Sequence, residues 1–501
     1  MCDKESQRSL CRGGVVVDKL KVLFLSPEVV PFAKTGGLAD VAGALPGALK
    51  RFDVDVRLVL PYYRLVREGN FQIRSILKDL KIPLGSETLT VNVLETQTED
   101  GVPVYLIERD DLYDRPNLYG SAVGDYYDNL ERFSFFSHAA LILSEALLFS
   151  PDLIHCHDWQ TGLVPALIKG PYRDTSILTG TPTIFTVHNL GYQGLFPAGK
   201  LPVTGLSKTE FFHPEGLEFW GKISLLKAGI VYAQAVTTVS PTYAREIQTP
   251  EYGLGMEGIL KKRRSSLHGI LNGVDYNVWN PAIDSHLPYT YSPRKMEGKR
   301  RCKESLIQEM GIDPSLIKKP LLGMISRLDN QKGFDLLIEI LDEILEMDVG
   351  LILLGSGDEF IQKAIQKVAI SHKGQVGFEM GFDEPLAHRM MAGLDMFLIP
   401  SRYEPCGLTQ IYALKYGTVP VVRATGGLDD TIVPFDPLTR EGNGFKFASY
   451  TADAFVSAIR QAVNLFQDPR IWKRLMANGM KADFSWDKSA RRYLEIYRSV
   501  V

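Results

Sequence analysis

Cysteine is scarce: five in 501 residues, at Cys2, Cys11, Cys156, Cys302 and Cys406, with no C-x-x-C pair. That excludes a disulfide framework and zinc-ligand spacing, and it suits a reducing compartment. Excess charge of one sign is also missing. The net charge of −3 gives no electrostatic footprint for nucleic acid. No long apolar run is free of polar groups; the stretch 133–149 carries His138 and Glu145 and reads as a buried helix rather than a membrane span. The first twenty residues mix Asp3, Glu5, Arg8, Arg12 and Asp18 around no apolar core, so no secretory signal is expected. The expected location is the cytoplasm, or a plastid stroma had a transit peptide been removed. Also absent are the G-x-G-x-x-G dinucleotide fingerprint, the G-x-x-x-x-G-K-[ST] phosphate loop and the G-x-S-x-G hydrolase elbow.

What is present is alternation. Val/Ile/Leu-rich runs at 21–26, 55–60, 102–108, 152–157, 182–188 and 235–240, then at 320–326, 349–354, 375–380, 395–400 and 418–423, alternate with helix-period segments. Runs with so little polar interruption predict strands covered on both faces, hence α/β layers with parallel sheets. The segment 275–298, with Pro281, Pro288 and Pro293, reads as a linker between two halves. Two Rossmann-like halves facing across a cleft follow. Their ligands belong beyond the carboxyl ends of the strands.

The chemistry-bearing groups stand where that rule puts them. Lys34-Thr35-Gly36-Gly37-Leu38-Ala39-Asp40 lies between a strand and a helix predicted over 37–52. Its paired glycines permit a tight bend with uncovered N–H groups, and Lys34 adds a full charge, a corner suited to an anion. Arg327 and Lys332 follow another strand and could grip one diphosphate, the first as a planar fork and the second as a compact charge. Glu404 ends a third strand ahead of Gly407 and a helix over 408–416. A carboxylate there can accept sugar hydroxyls or merely cap the turn. His155 and His157 share a strand face that Cys156 does not, and no second ligand cluster accompanies them, so no metal site is expected. His188 and Asn189 end the next strand at the cleft rim. The basic clusters 261–264 and 299–301 read as solvated helix faces, and Asp53-Val54-Asp55 as a turn. Thr-Gly-Gly-Leu recurs at 425–428, which reads as convergent turn chemistry.

These motifs, with 185–190, 269–275, Ser326-Arg327-Leu328, Pro400 to Thr409 and Phe484-Ser485-Trp486, occur in an order that resembles the bacterial glycogen synthases and plant starch synthases. Those are GT-B glycosyltransferases that use ADP-glucose, and the likeness spans nearly everything from residue 20 onward. It implies a GT-B fold, with an N-terminal extension at 1–19, an acceptor-side Rossmann-like domain at 20–280, a nucleotide-sugar-side one at 281–486, and a C-terminal helix at 487–501 crossing back to the first. It implies a retaining transfer of α-glucose to the non-reducing 4-hydroxyl of an α-1,4-glucan (glycogen or a malto-oligosaccharide), with no metal or other cofactor and no nucleic-acid or membrane partner. By position, Lys34, Gly36 and Gly37 would meet the diphosphate and glucose. Arg327 and Lys332 would hold the leaving diphosphate. Glu404 with the Cys406, Gly407 and Leu408 amides would bind glucose hydroxyls, and the Leu408 and Thr409 amides the distal phosphate. His188, Asn189 and Asn272 would contact the donor glucose, with His188 near the anomeric centre. Asp40 and Tyr126 match positions linked to the active site, and Phe382 the aromatic against which adenine stacks. Two departures stand out. Tyr412 occupies the place of the second Glu found in many GT-B enzymes, as is common in this branch, and Gln160 stands where members often have His. A UDP-glucose-dependent sucrose synthase-like or sucrose-phosphate synthase-like transferase is the nearest alternative. A catalytically inactive glucan-binding protein would be expected to have lost Lys34, Arg327, Lys332 or Glu404, and a nucleotide-sugar epimerase has no place for Lys34-Thr35-Gly36-Gly37-Leu38.

Overall fold

A computed structural model describes residues 19–501 except Ala122 and Ser176. The first eighteen residues, including Cys2 and Cys11 and all but the last of the expected N-terminal extension, lie outside the described residues.

Two separate sheets organise the chain. In the first half the strands of the main sheet are β1 (Lys21–Leu25), β2 (Asp55–Pro61), β3 (Arg74–Leu84), β4 (Glu87–Gln97), β5 (Pro103–Glu108), β6 (Leu153–His157), β7 (Thr183–Val187), β8 (Ala235–Thr238) and β9 (Leu267–Gly269). They lie in the order β9-β8-β7-β6-β1-β2-β5-β4-β3. All pairings are parallel except the antiparallel hairpin β3–β4 and its junction with β5. The second half supplies β10 (Leu321–Ile325), β11 (Gly350–Gly355), β12 (Val376–Met380), β13 (Met396–Ile399), β14 (Val419–Arg423) and β15 (Phe445–Phe447), ordered β12-β11-β10-β13-β14-β15 and parallel throughout. All eleven apolar runs singled out in the sequence are strands.

Each sheet reverses its strand order beside its first strand, between β1 and β6 and between β10 and β13. Crossovers there run to opposite faces, so the loops at the carboxyl ends diverge and leave a crevice. The loops after β1, β6 and β7 open on one such crevice, and those after β10 and β13 on the other.

Helix α1 (Gly37–Lys50) buries Leu38, Val41, Ala42, Leu45 and Leu49 on the first sheet and tolerates Pro46. The last helix, α2 (Trp486–Val500), packs against α1. Its Trp486, Ala490, Tyr493, Leu494, Ile496 and Tyr497 belong to the core of the first lobe.

Two sequence readings need correction. The segment 275–298 is no free linker, because Leu287 and Tyr291 are buried in the second lobe's core and Trp279 is stacked between Tyr412 and His388, at 3.9 and 3.7 Å. Its aromatic content anchors what its prolines make irregular. Nor is 299–301 a uniformly solvated face. Lys299 is buried, and its ammonium donates to the carbonyls of Ala392 and Leu394 and to Thr418 Oγ1. Burial pulls Lys299 down to about 8, and the three acceptors make its charge tolerable there.

Candidate active site

In the first lobe, the turn after β1 is built around Glu28. Its carboxylate accepts from Thr35 N at 2.5 Å, Thr35 Oγ1 at 2.6 Å, Gly36 N at 3.2 Å and Tyr119 OH at 2.7 Å. The Thr35 and Gly36 N–H groups are therefore not open to an external anion, as the sequence suggested; an internal carboxylate has taken them. Gly37 remains. A Cβ added at Gly36 or Gly37 would meet no atom within 4 Å, so both glycines border open space. Lys34 Nζ lies 2.7 Å from Asp40 Oδ1. Burial pushes the Asp40 carboxyl up, against the pull of Lys34, and Glu384 of the second lobe adds to the rise. Tyr126 is set back: its ring lies under the Arg115 and Arg132 guanidinium groups, and its N–H donates to Tyr119 O.

Asp158, just beyond β6, receives the His188 N–H at 2.7 Å from the end of β7. Burial pushes this carboxyl up to about 7 while the donated backbone N–H groups of His188 and Asn189 oppose it. His188 is itself buried, which holds it down at about 3, so the ring is neutral. Its Nε2 lies 2.9 Å from His157 Nδ1. Asn189 Oδ1 accepts from Gly191 N, and the Asn189 side chain faces Tyr403 of the second lobe.

Across the cleft, Lys332 Nζ lies 2.7 Å from Glu404 Oε2, which also accepts from Ser401 Oγ at 3.1 Å. The two loops meet because β10 and β13 are neighbours. Asp329 shapes the first by accepting the Gln331 and Lys332 N–H groups, and Gln331 Nε2 ties it to Tyr403 O. Arg327 extends from the same loop, half-exposed, 3.4 Å from Asp329 and near enough to Tyr192 of the first lobe for the phenol to hold its guanidinium charged. Phe382 stands 84% exposed beyond β12, as a stacking surface must. Gly407 has φ +68°, and Gln410 Nε2 donates to the Cys406 and Gly407 carbonyls, which fixes the turn ahead of the helix. Burial pushes the Cys406 thiol up to about 12, so it remains protonated. Asn272 reaches this loop from the first lobe through its backbone N–H, and its buried Oδ1 has no partner. Ser240 Oγ donates to Pro405 O at 2.7 Å.

The geometry thus brings Arg327, Lys332 and Glu404 together, joins them to the first lobe through Asn189 at Tyr403 and Asn272 at Cys406, and pairs Lys34 with Asp40. Tyr126 connects to the site through Tyr119, whose OH donates to Glu28. Among the described residues, no group of three His, Cys, Asp or Glu is placed to hold a metal ion, and no helix is long and apolar enough to cross a membrane.

Three supporting residues were missed in the sequence. Glu28 and Gln410 had local signals, the first standing three residues past the strand that precedes the glycine turn and the second three residues after Gly407. Glu246 had none. It comes from the first lobe to accept Thr425 Oγ1 at 2.9 Å and Gly426 N at 3.1 Å. Both Thr-Gly-Gly turns therefore hold a glutamate carboxylate, one from its own lobe and one from across the cleft. They differ in crowding. A Cβ at Gly426 would lie 2.0 Å from Glu404 O, and at Gly427 2.0 Å from Cys406 O. Gly427→Ala is expected to cost ~1–3 kcal/mol of stability by overpacking. Gly36→Ala is expected to stay within ~0.5 kcal/mol of the parent while lowering turnover, because its methyl group projects into the cleft. Urea titration beside steady-state kinetics checks the contrast, and equal destabilisation by the two would contradict it.

Comparison with known proteins agrees with this geometry. Residues 21–262 match the starch synthase catalytic domain, and residues 312–474 match glycosyl transferases group 1. The glycogen synthase of Syntrophotalea carbinolica is 45% identical over 484 residues, covering 96% of this chain and 99% of its own. That of Anaeromyxobacter sp. is 46% identical over 482 residues, covering 96% and 99%. Among solved structures, the catalytic domain of starch synthase IV from Arabidopsis thaliana, bound to ADP and acarbose, superposes with a TM-score of 0.89 at 34% identity, covering 96% of this chain and 99% of that one. Sucrose-phosphate synthase from Thermosynechococcus elongatus shares the fold, with a TM-score of 0.60 at 17% identity and coverage of 96% and 99%. With both sheets switching strand order at a common cleft and these relatives matching almost end to end, the chain belongs to the glycogen synthase and starch synthase family of GT-B glycosyltransferases.

Proposed function

We propose that the protein transfers α-glucose from ADP-glucose to the 4-hydroxyl at the non-reducing end of an α-1,4-glucan, with retention at the anomeric carbon and release of ADP. The observation that carries this reading is the meeting of Arg327 with the Lys332–Glu404 pair at the second switch point, beside the Cys406 loop that Asn272 of the first lobe reaches.

As the bond from the anomeric carbon to the diphosphate oxygen breaks, its electron pair goes to the diphosphate and positive charge grows on the sugar. Arg327 and Lys332 stabilise the departing anion, the dominant catalytic contribution expected of such a site. The acceptor oxygen bonds the same face of the sugar, and its proton passes to the leaving phosphate oxygen. Glu404 is tied to Lys332 and Ser401 and suits sugar hydroxyls better than nucleophilic attack. Phe382 offers adenine a platform. Two side-chain cations serve where a divalent ion would otherwise act, so no metal is required.

The test mixes purified protein with ADP-glucose or UDP-glucose and malto-oligosaccharide, with EDTA, and follows nucleoside diphosphate release and chain length. ADP release with chain extension is expected. Turnover of UDP-glucose alone, abolition by EDTA, or a trapped glucosyl-carboxylate adduct would each overturn a part of the reading.

A further inference from the structure

His157 has no role in the site described so far, yet it is the one ring that touches His188 nitrogen to nitrogen. Its Nδ1 lies 2.9 Å from His188 Nε2, while its own Nε2 is buried with no partner. The rings nearest His157 offer that nitrogen nothing. Phe24 lies 4.3 Å away at 33°, and His155 4.1 Å away at 42°, both tilted against the ring, and neither is hydrogen-bonded to it. His155 is itself committed, to Tyr497 OH at 2.7 Å and Thr186 Oγ1 at 2.6 Å. His188 Nδ1 has no hydrogen bond among the described residues and is not among the fully buried polar atoms, so it is the nitrogen that the ring shows to the cleft.

Both rings are neutral, because burial holds His157 well below its ordinary range and His188 at about 3. Two protons are therefore shared among four nitrogens, and the contact needs one donor and one acceptor. If His188 donated from Nε2, the His157 proton would sit on Nε2, a buried N–H with nothing to receive it. If His157 donates from Nδ1, the orphan is only a bare ring nitrogen. Orphaned buried N–H groups are the rarer kind, which disfavours the first arrangement. The Asp158 bond to His188 N fixes the backbone from which the ring hangs.

We propose that His157 is a positioning residue: by donating its Nδ1–H to His188 Nε2, it fixes His188 in the tautomer whose cleft-facing Nδ1 carries the proton. His188 then meets the transferred sugar as a hydrogen-bond donor to one of its oxygens, and it has no lone pair in the cleft with which to act as a base toward the acceptor hydroxyl. The consequence for the sugar rests on the glucosyl-transfer reading above; the tautomer does not.

The experiment is the ¹⁵N spectrum of histidine-labelled, ligand-free full-length enzyme, with the His188 signals assigned by comparison with His188→Gln. The expected result is a protonated Nδ1 and a bare Nε2 on His188. His157→Asn places an amide N–H where Nδ1 stood; it is expected to keep the tautomer and to hold kcat/KM for ADP-glucose within about threefold. His157→Phe removes the donor; the His188 proton should spread over both nitrogens and kcat/KM for ADP-glucose fall tenfold or more, with the KM for malto-oligosaccharide unchanged. A wild-type His188 protonated on Nε2 overturns the proposal even if neither variant folds. So does His157→Phe retaining the Nδ1–H tautomer, or the Asn and Phe variants losing activity equally. Absence of turnover with either nucleotide sugar would overturn the function proposed above while the wild-type spectrum still decides this one.

Discussion

Replacing Arg327 with Gln is expected to lower kcat by about 10²–10³, the scale of losing one donor to a charge that develops in the transition state. Stability should barely change. Arg327 is 58% exposed and its ion pair with Asp329 is 3.4 Å long, the kind of surface pair worth ~0–1 kcal/mol. Lys332→Met should lose turnover on the same scale and destabilise the fold as well, because Lys332 and Glu404 are only 17% and 11% exposed. Removing one partner of a buried pair strands the other's charge, at a cost of up to ~3–5 kcal/mol, less here for the residual solvent contact. Adding Glu404→Gln to Lys332→Met removes the stranded charge and should restore much of the stability but none of the turnover. Steady-state kinetics and urea titration of the four proteins give the answer. Full turnover in a doubly neutralised Arg327→Gln, Lys332→Met enzyme would remove the basis for anion stabilisation at this cleft.

The second large effect is structural. A chain ending at Ser485 should fail to fold its first lobe, although every strand of that lobe remains. The lost helix carries Trp486, Tyr493, Leu494, Ile496 and Tyr497, all buried in the first lobe's core. Each forfeits ~1.5–3 kcal/mol of burial, and the sum rivals a typical net stability of ~5–15 kcal/mol. The chain crosses between lobes twice at one place, where Val274 N donates to Phe484 O and Gly273 lies so close to Trp486 that a Cβ would meet its Cα at 2.6 Å. Truncation also removes Tyr497 OH from His155 and Ser489 Oγ from Leu271 O. Trp486→Ala, the milder form, should cost ~3–5 kcal/mol. Near-UV circular dichroism and thermal melting test both, and a truncated chain that melts like the parent would refute the account.

The parallel strands were legible because each is covered on both faces. A segment such as Leu351–Leu354 has no polar face to show, and that lack is itself a local signal. The hairpin β3–β4 was not legible. It lies at the sheet edge, mostly exposed, with register shifts near Ser75 and Leu77, so neither apolar run nor clean alternation marks it. The cations and Glu404 could be picked out because strand ends in such sheets are where ligands bind. Their partners could not. Glu28 and Glu246 both look like ordinary acids, and only the folded chain turns them upon the two Thr-Gly-Gly turns.

Local pattern, then, determined the strands, the order of the loops that follow them and the chemistry those loops carry, because burial on two faces and glycine turns are written in adjacent residues. Tertiary structure alone decided which buried charge found a mate, which N–H groups stayed open and which imidazole nitrogen faces the cleft. Each of those depends on atoms distant in the chain: Lys299 on Leu394, Gly426 on Glu246, His188 on His157. A hydrogen bond or ion pair acts over about 3 Å in space and has no regard for separation along the chain.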